Sequence, residues 1–167
     1  MENLKTWKTI KLGLYSFSVN DREIGTLEVV YNNFERKAIF KIEDKIYTLV
    51  YNGFWKSTYE IFDESNEVIL KSSFEKWYAT TTNLDYKGNE YKLKIRNNPL
   101  AEFVIFESEK ELVSYGLSTN SGKVNVKITT AQNNTDYLLD YLLWYSFLPI
   151  TQENIGDDFT FQALMSS

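Results

Sequence analysis

Apolar and polar residues alternate with a period of two over short stretches through most of the chain, the pattern of strands that bury one face and solvate the other. Tyr15, Phe17 and Val19 are separated by serines, and Tyr91, Leu93 and Ile95 by Lys92 and Lys94, with Arg96 following. Twelve such runs are predicted, near residues 4–12, 14–20, 23–31, 36–43, 45–52, 57–63, 67–74, 77–86, 90–96, 101–107, 111–118 and 122–130. The connections are short and polar, with turn residues at Asn52-Gly53, Lys87-Gly88-Asn89 and Ser121-Gly122, so the strands are expected to form an antiparallel meander.

The chain also repeats itself. Shifted by 44 residues it matches without gaps around three polar turns, YSFSVNDREIG, YEIFDESNEVI and FVIFESEKELV, which begin at Tyr15, Tyr59 and Phe103. Glu23, Glu67 and Glu111 fall in register, each followed by a branched apolar residue, Ile24, Val68 or Leu112. Each copy reads as strand, turn, strand.

One segment breaks the alternation. Thr135 to Pro149 is rich in Leu, and from Tyr137 to Leu148 only Asp140 and Ser146 are polar. This predicts a helix at about 135–148, capped by Asn134 or Thr135, with Asp136 at the positive end of its dipole and Pro149 as its stop. A helix apolar on every side must be buried all round. Its twelve apolar-rich residues span about 18 Å, well short of a hydrocarbon core of about 30 Å. An open sheet of a dozen strands would expose two edges; closing it around the helix removes both and buries the helix. The expected fold is therefore mainly β, a closed antiparallel barrel of about twelve strands around a central, apolar C-terminal α-helix. Residues 1–150 would form this barrel domain, and 151–167 an acidic tail that either frays or closes a barrel mouth through Phe159 and Phe161.

Composition fits one such domain: 167 residues, 43% apolar and 16% aromatic, are enough for a sizeable core without staples. With no His and no Cys, thiol nucleophiles, Ser-His-Asp triads, imidazole acid–base catalysis, zinc fingers and His-bound transition metals are excluded. The opening MENLKTWKTI has Glu2, Lys5 and Lys8 where a secretory signal would need an apolar run, so a cytoplasmic location is expected. Net charge is −5, yet Lys127 is the last basic residue. Asp136, Asp140, Glu153, Asp157 and Asp158 account for five of the 23 acidic residues, which leaves 18 acidic and 18 basic residues up to Lys127. A neutral body with an acidic end lacks the basic footprint of a nucleic-acid binder.

Lys92, Lys94 and Arg96 share one strand face, with Lys87 near its start. They are the candidate contacts for anionic headgroups, the alternative being an ordinary solvated face. Asp140, inside an apolar helix, must be compensated by a Tyr hydrogen bond or a Lys or Arg, or else serve as a functional acid. The carboxylate pairs Glu43-Asp44, Asp63-Glu64 and Asp157-Asp158 read as turn residues, without the spacing of a glycosidase or calcium site. Trp144 reads as core; Trp55, with Phe54 and Lys56, either covers a barrel end or touches a membrane interface or partner.

The repeated hairpins, the stretch YKGNEYKLKIRNNPLAEFVIFES from Tyr86 to Ser108 and the Leu-rich terminal helix resemble the tubby C-terminal-like superfamily. That grouping includes tubby proteins, phospholipid scramblases and the plant LURP-one-related proteins. The resemblance spans the chain to about Ile150 and implies a twelve-stranded barrel around a hydrophobic C-terminal helix. It also implies a non-enzymatic module for phospholipid or phosphoinositide headgroups, peripheral to a membrane and without cofactor. No segment matches the tubby basic motif or the scramblase calcium-binding segment, so no residue is carried over from either. A protein-interaction scaffold without a lipid ligand is the alternative expectation.

Overall fold

A computed structural model describes residues 3–31, 36–52, 58–74, 76, 80–97, 100–131 and 136–154, and the backbone of 160–164. Its strands are β1 (Leu4–Lys11), β2 (Leu14–Val19), β3 (Arg22–Tyr31), β4 (Arg36–Ile42), β5 (Lys45–Asn52), β6 (Thr58–Phe62) and β7 (Val68–Phe74). There follow β8 (Thr81–Tyr86), β9 (Asn89–Asn97), β10 (Ala101–Glu107), β11 (Lys110–Asn120), β12 (Lys123–Thr130), the helix α1 (Tyr137–Asn154) and β13 (Thr160–Leu164). Every ladder is antiparallel, and β1 to β12 pair in sequence order as the meander requires. The residues that begin the predicted eighth run, Trp77 to Ala79, lie outside the described residues, as does the Phe54-Trp55-Lys56 segment.

The 44-residue repeat has a structural counterpart in three β-bulges. Register shifts after Phe17 in β2–β3, after Ile61 in β6–β7 and after Ile105 in β10–β11, positions 44 apart. The extra residues are Ile24, Ile69 and Leu112. The middle copy differs by one because its turn, Asp63–Glu67, is longer than Asn20-Asp21 or Ser108-Glu109, and this places Ile69 rather than Val68 at the bulge. A bulge bends its strand and sharpens the local twist, so three evenly spaced bulges curl the sheet into a barrel.

The helix fills that barrel. Tyr141, Leu142, Leu143, Trp144 and Phe147 are fully buried, and rings from strands around the sheet reach them. Trp7 of β1 stacks on Trp144 at 5.1 Å, Phe17 of β2 and Phe40 of β4 meet Tyr141 at 5.5 and 5.6 Å, and Phe103 of β10 meets Phe147 at 5.3 Å. Trp144 is core, as its place in the apolar segment predicts.

Two features depart from the sequence reading. The helix does not stop at Pro149 but runs through it to Asn154. Proline removes one helical N–H and crowds the preceding turn; here Thr151 is buried and its hydroxyl donates to the Leu148 carbonyl at 2.8 Å, while Ser146 donates to Leu142 at 2.8 Å. At the other end Asp136 is the cap, its Oδ1 accepting the Leu138 N–H at 3.2 Å; Asn134 and Thr135 lie outside the described residues. The second departure is β13. Part of the expected tail pairs with β1, from Leu4↔Leu164 to Lys8↔Thr160, and lies beside β12, so it occupies the seam between first and twelfth strands. Phe159, Asp157 and Asp158 lie outside the described residues.

Gly25 marks where the helix and two strands come closest. A Cβ there would sit 1.9 Å from the Lys41 carbonyl oxygen of β4, the same oxygen that accepts the Tyr141 hydroxyl at 2.9 Å. Gly25→Ala must separate β3 from β4 or break that bond. It is expected to cost about 3 kcal/mol, read as a drop in urea midpoint; a wild-type midpoint would show that the approach relaxes freely.

Candidate functional site

A meander places its connections alternately at two ends. One end carries the turns Asn20-Asp21, Glu43-Asp44, Asp63–Glu67, Lys87-Gly88 and Ser108-Glu109 together with the start of α1. Its turns hold Asp21, Glu43, Asp44, Asp63, Glu64, Glu67 and Glu109, and beside them Tyr86 donates to Asp136 at 2.7 Å. The carboxylate pairs do the work of turns here: Asp63 Oδ1 accepts the N–H groups of Ser65 and Glu67, and Glu64 accepts that of Ile46.

The opposite end, where α1 finishes, is different. Five of the seven large hydrophobic side chains that stand exposed among the described residues are there: Ile10, Leu12, Tyr31, Phe74 and Ile95. Leu12 is at the tip of the β1–β2 turn and 67% exposed; Tyr31, 68% exposed, ends β3 with its ring over Gly13. Ile95 was expected inside on period-two alternation, but it lies near the end of β9 and is 45% exposed. Lys11, Arg36, Lys37 and Lys123 stand at strand ends on this same rim.

Between the rim and the last turns of α1 lies a cleft of about 430 Å³, bounded by the ends of β3, β4 and β5 and by Tyr145, Leu148 and Pro149. Tyr51 and Tyr145 form its aromatic wall, ring centroids 6.2 Å apart. Burial holds both phenols in the neutral form, pushing Tyr145 up to about 12 and raising Tyr51 against the opposing pull of Arg36. Arg36 and Lys37 line the cleft, and among the described residues that line it there is no carboxylate.

The candidate residues of the β9 face are placed as follows. Lys92 and Lys94 are exposed on the outside of β9, and Lys94 lies 4.7 Å from the Phe106 ring centroid. Arg96 is held by Glu102 at 2.7 Å and by both oxygens of Glu111 at 2.7 and 3.2 Å, and these carboxylates raise it above its ordinary value. Lys87 is at the acidic end, its ammonium 4.9 Å over the Tyr86 ring. The structure thus brings Lys92, Lys94 and Arg96 to one face, with the Arg96 charge matched by carboxylates, and sets Lys87 apart. Arg36 and Lys37 carry no sequence signature; it is the packing of Tyr145, Leu148 and Pro149 of α1 against the ends of β3 to β5 that sets a wall beside them.

Asp140 is compensated inside the barrel. Lys5 of β1, 1% exposed, donates to both its oxygens at 2.8 and 2.7 Å and to the Thr130 hydroxyl at 2.8 Å. Tyr115 donates to Asp140 at 2.9 Å and accepts the Trp7 indole N–H at 2.9 Å. Burial, with the Asp140 charge beside it, raises Tyr115 well above its ordinary value and keeps it a donor. Every polar atom of this cluster faces another, and none of its residues lines the cleft; it is a tie between the wall and the helix.

Fold and site together define a class: an antiparallel β-barrel with its own C-terminal helix packed in its core and a cleft at the end where that helix finishes. Compared with known proteins, the chain matches no family model, and no curated protein and no solved structure is significantly similar to it.

Proposed function

We propose that the protein is a non-enzymatic binding module of tubby-like type that docks on anionic membrane surfaces by the end of the barrel where α1 finishes. The observation that carries this reading is the polarity of the barrel. Exposed Ile10, Leu12, Tyr31 and Phe74 share one rim with Lys11, Arg36, Lys37 and Lys123, while the hairpin carboxylates gather at the other. Apolar tips gain by leaving water for the headgroup boundary, and each cation close to an anionic surface adds about 1 kcal/mol. The acidic end is repelled and faces away. No helix among the described residues is long and apolar enough to cross a membrane, which suits attachment from one side by that rim. The Lys92, Lys94 and Arg96 face supports docking less well, because Glu102 and Glu111 already occupy Arg96.

Sedimentation with anionic and zwitterionic vesicles at low and physiological salt tests this. Salt-sensitive binding to anionic vesicles alone is expected, lost in the Leu12→Asp, Lys11→Glu double variant and kept in Lys92→Glu, Lys94→Glu. No binding at either salt would leave the protein-interaction scaffold as the better reading.

A further inference from the structure

The cleft beside Pro149 has features that a flat docking surface does not need. Its volume, about 430 Å³, lies within the range of small-molecule sites. Its wall is aromatic and aliphatic, from Tyr51, Tyr145, Val29 and Leu148, and Arg36, in the inward row of β4 with Ala38 and Phe40, stands where it opens on the rim, with Lys37 beside it on the outer row. A guanidinium favours bidentate contact with a phosphate or carboxylate, and the apolar wall favours a chain attached to it. The buried phenols add neutral donors rather than a competing negative charge. Pro149 contributes as well: having no N–H, it leaves the Tyr145 carbonyl without its ordinary helical donor, and both residues line the cleft. A hydroxyl next to the ligand's anionic group would find an acceptor there.

We infer that this cleft binds one molecule of an anionic amphiphile, its phosphate or carboxylate head held by Arg36 and its chain laid between Tyr145, Leu148 and Val29. The inference rests on the docking reading above and deepens it, since the cleft opens on the same rim. A free alkyl phosphate and a membrane phospholipid present the same head and chain, so the test has a soluble arm and a vesicle arm.

In the soluble arm, calorimetric titration uses octyl phosphate below its micelle concentration, with octanol and inorganic phosphate as half-ligands. Saturable binding at one site is expected for octyl phosphate, and binding at least about tenfold weaker for either half alone. Val29→Trp and Gln152→Trp, which fill the cleft from the sheet side and from the helix side, should each weaken it about tenfold while both proteins still sediment with anionic vesicles. Absent binding, or binding unchanged in both filled variants, overturns the cleft assignment. If vesicle sedimentation by the unmodified protein persists in that case, docking stands without the cleft; if sedimentation is absent too, the docking reading falls with it.

Discussion

Removing the Asp140 carboxylate alone, as Asp140→Ala, should destabilise the protein by about 3–5 kcal/mol, whereas removing both charges, as Lys5→Met with Asp140→Leu, should restore most of that loss. The asymmetry follows from burial. Lys5 and Asp140 are 1% and 0% exposed, so an ammonium left without its carboxylate has neither water nor counter-charge, and it must stay buried unpaired or drag β1 outward. With both charges gone, no desolvation cost remains, and two apolar side chains fill the space at ordinary packing. Thr130 and Tyr115 each lose one partner in the double variant, which keeps it somewhat below the parent. Urea unfolding of the parent, the two single variants and the pair gives the coupling energy directly. Equal losses in the single and double variants would mean that the pair is not coupled and that the helix is held by packing alone.

The larger effect is expected inside the helix. Leu143 is fully exposed to the barrel interior and not to solvent, and around it the helix offers Leu142, Trp144 and Phe147 as neighbours in the same core. Leu143→Asp puts a second carboxylate one turn from Asp140, whose Lys5 ammonium is already bonded to both Asp140 oxygens and to the Thr130 hydroxyl. The cost of burying it unpaired exceeds the whole stability of an ordinary domain, about 5–15 kcal/mol, so no cooperatively folded protein should be recovered. Leu143→Ala separates chemistry from packing: it leaves a cavity and should cost about 2–5 kcal/mol while remaining folded. Near-ultraviolet circular dichroism and thermal melts report both. A cooperative Leu143→Asp melt near the parent temperature would put the helix outside the barrel.

The barrel was legible because its rules are local. Period-two alternation, short turns and the 44-residue offset depend on neighbours in sequence, and the bulges after Phe17, Ile61 and Ile105 repeat at the same offset as the sequence. The all-round apolar helix was legible for a related reason, since no surface helix could tolerate it. What sequence hid was decided by distant neighbours. Pro149 is a stop signal judged locally, yet burial of Thr151 and packing of Ile150 against the core carry the helix beyond it. Lys5 had a signal that could have been used: it lies two residues before Trp7 on the inward face of a strand, where a cation needs the very carboxylate that Asp140 supplies. Lys92, Lys94 and Arg96 were visible as a stripe, but the carboxylates that occupy Arg96 come from β10 and β11, one and two strands away. Arg36 and Lys37 acquire meaning only through the tertiary packing that sets Tyr145, Leu148 and Pro149 beside the ends of β3 and β4.

The seam strand β13 bears on how the chain can fold as it is made. Each hairpin from β1 to β12 closes between sequence neighbours and can form as soon as it leaves the ribosome. The steps that make a barrel of them cannot: Lys5 waits for a partner 135 residues later, and β1 for a strand that begins at Thr160. Until then the inner face of the emerging sheet, with Trp7, Phe17 and Phe40, has nothing to cover it. During synthesis the protein is therefore poised to pass through a sticky, uncurled sheet that is prone to aggregate, with α1 and β13 acting as the trigger for collapse.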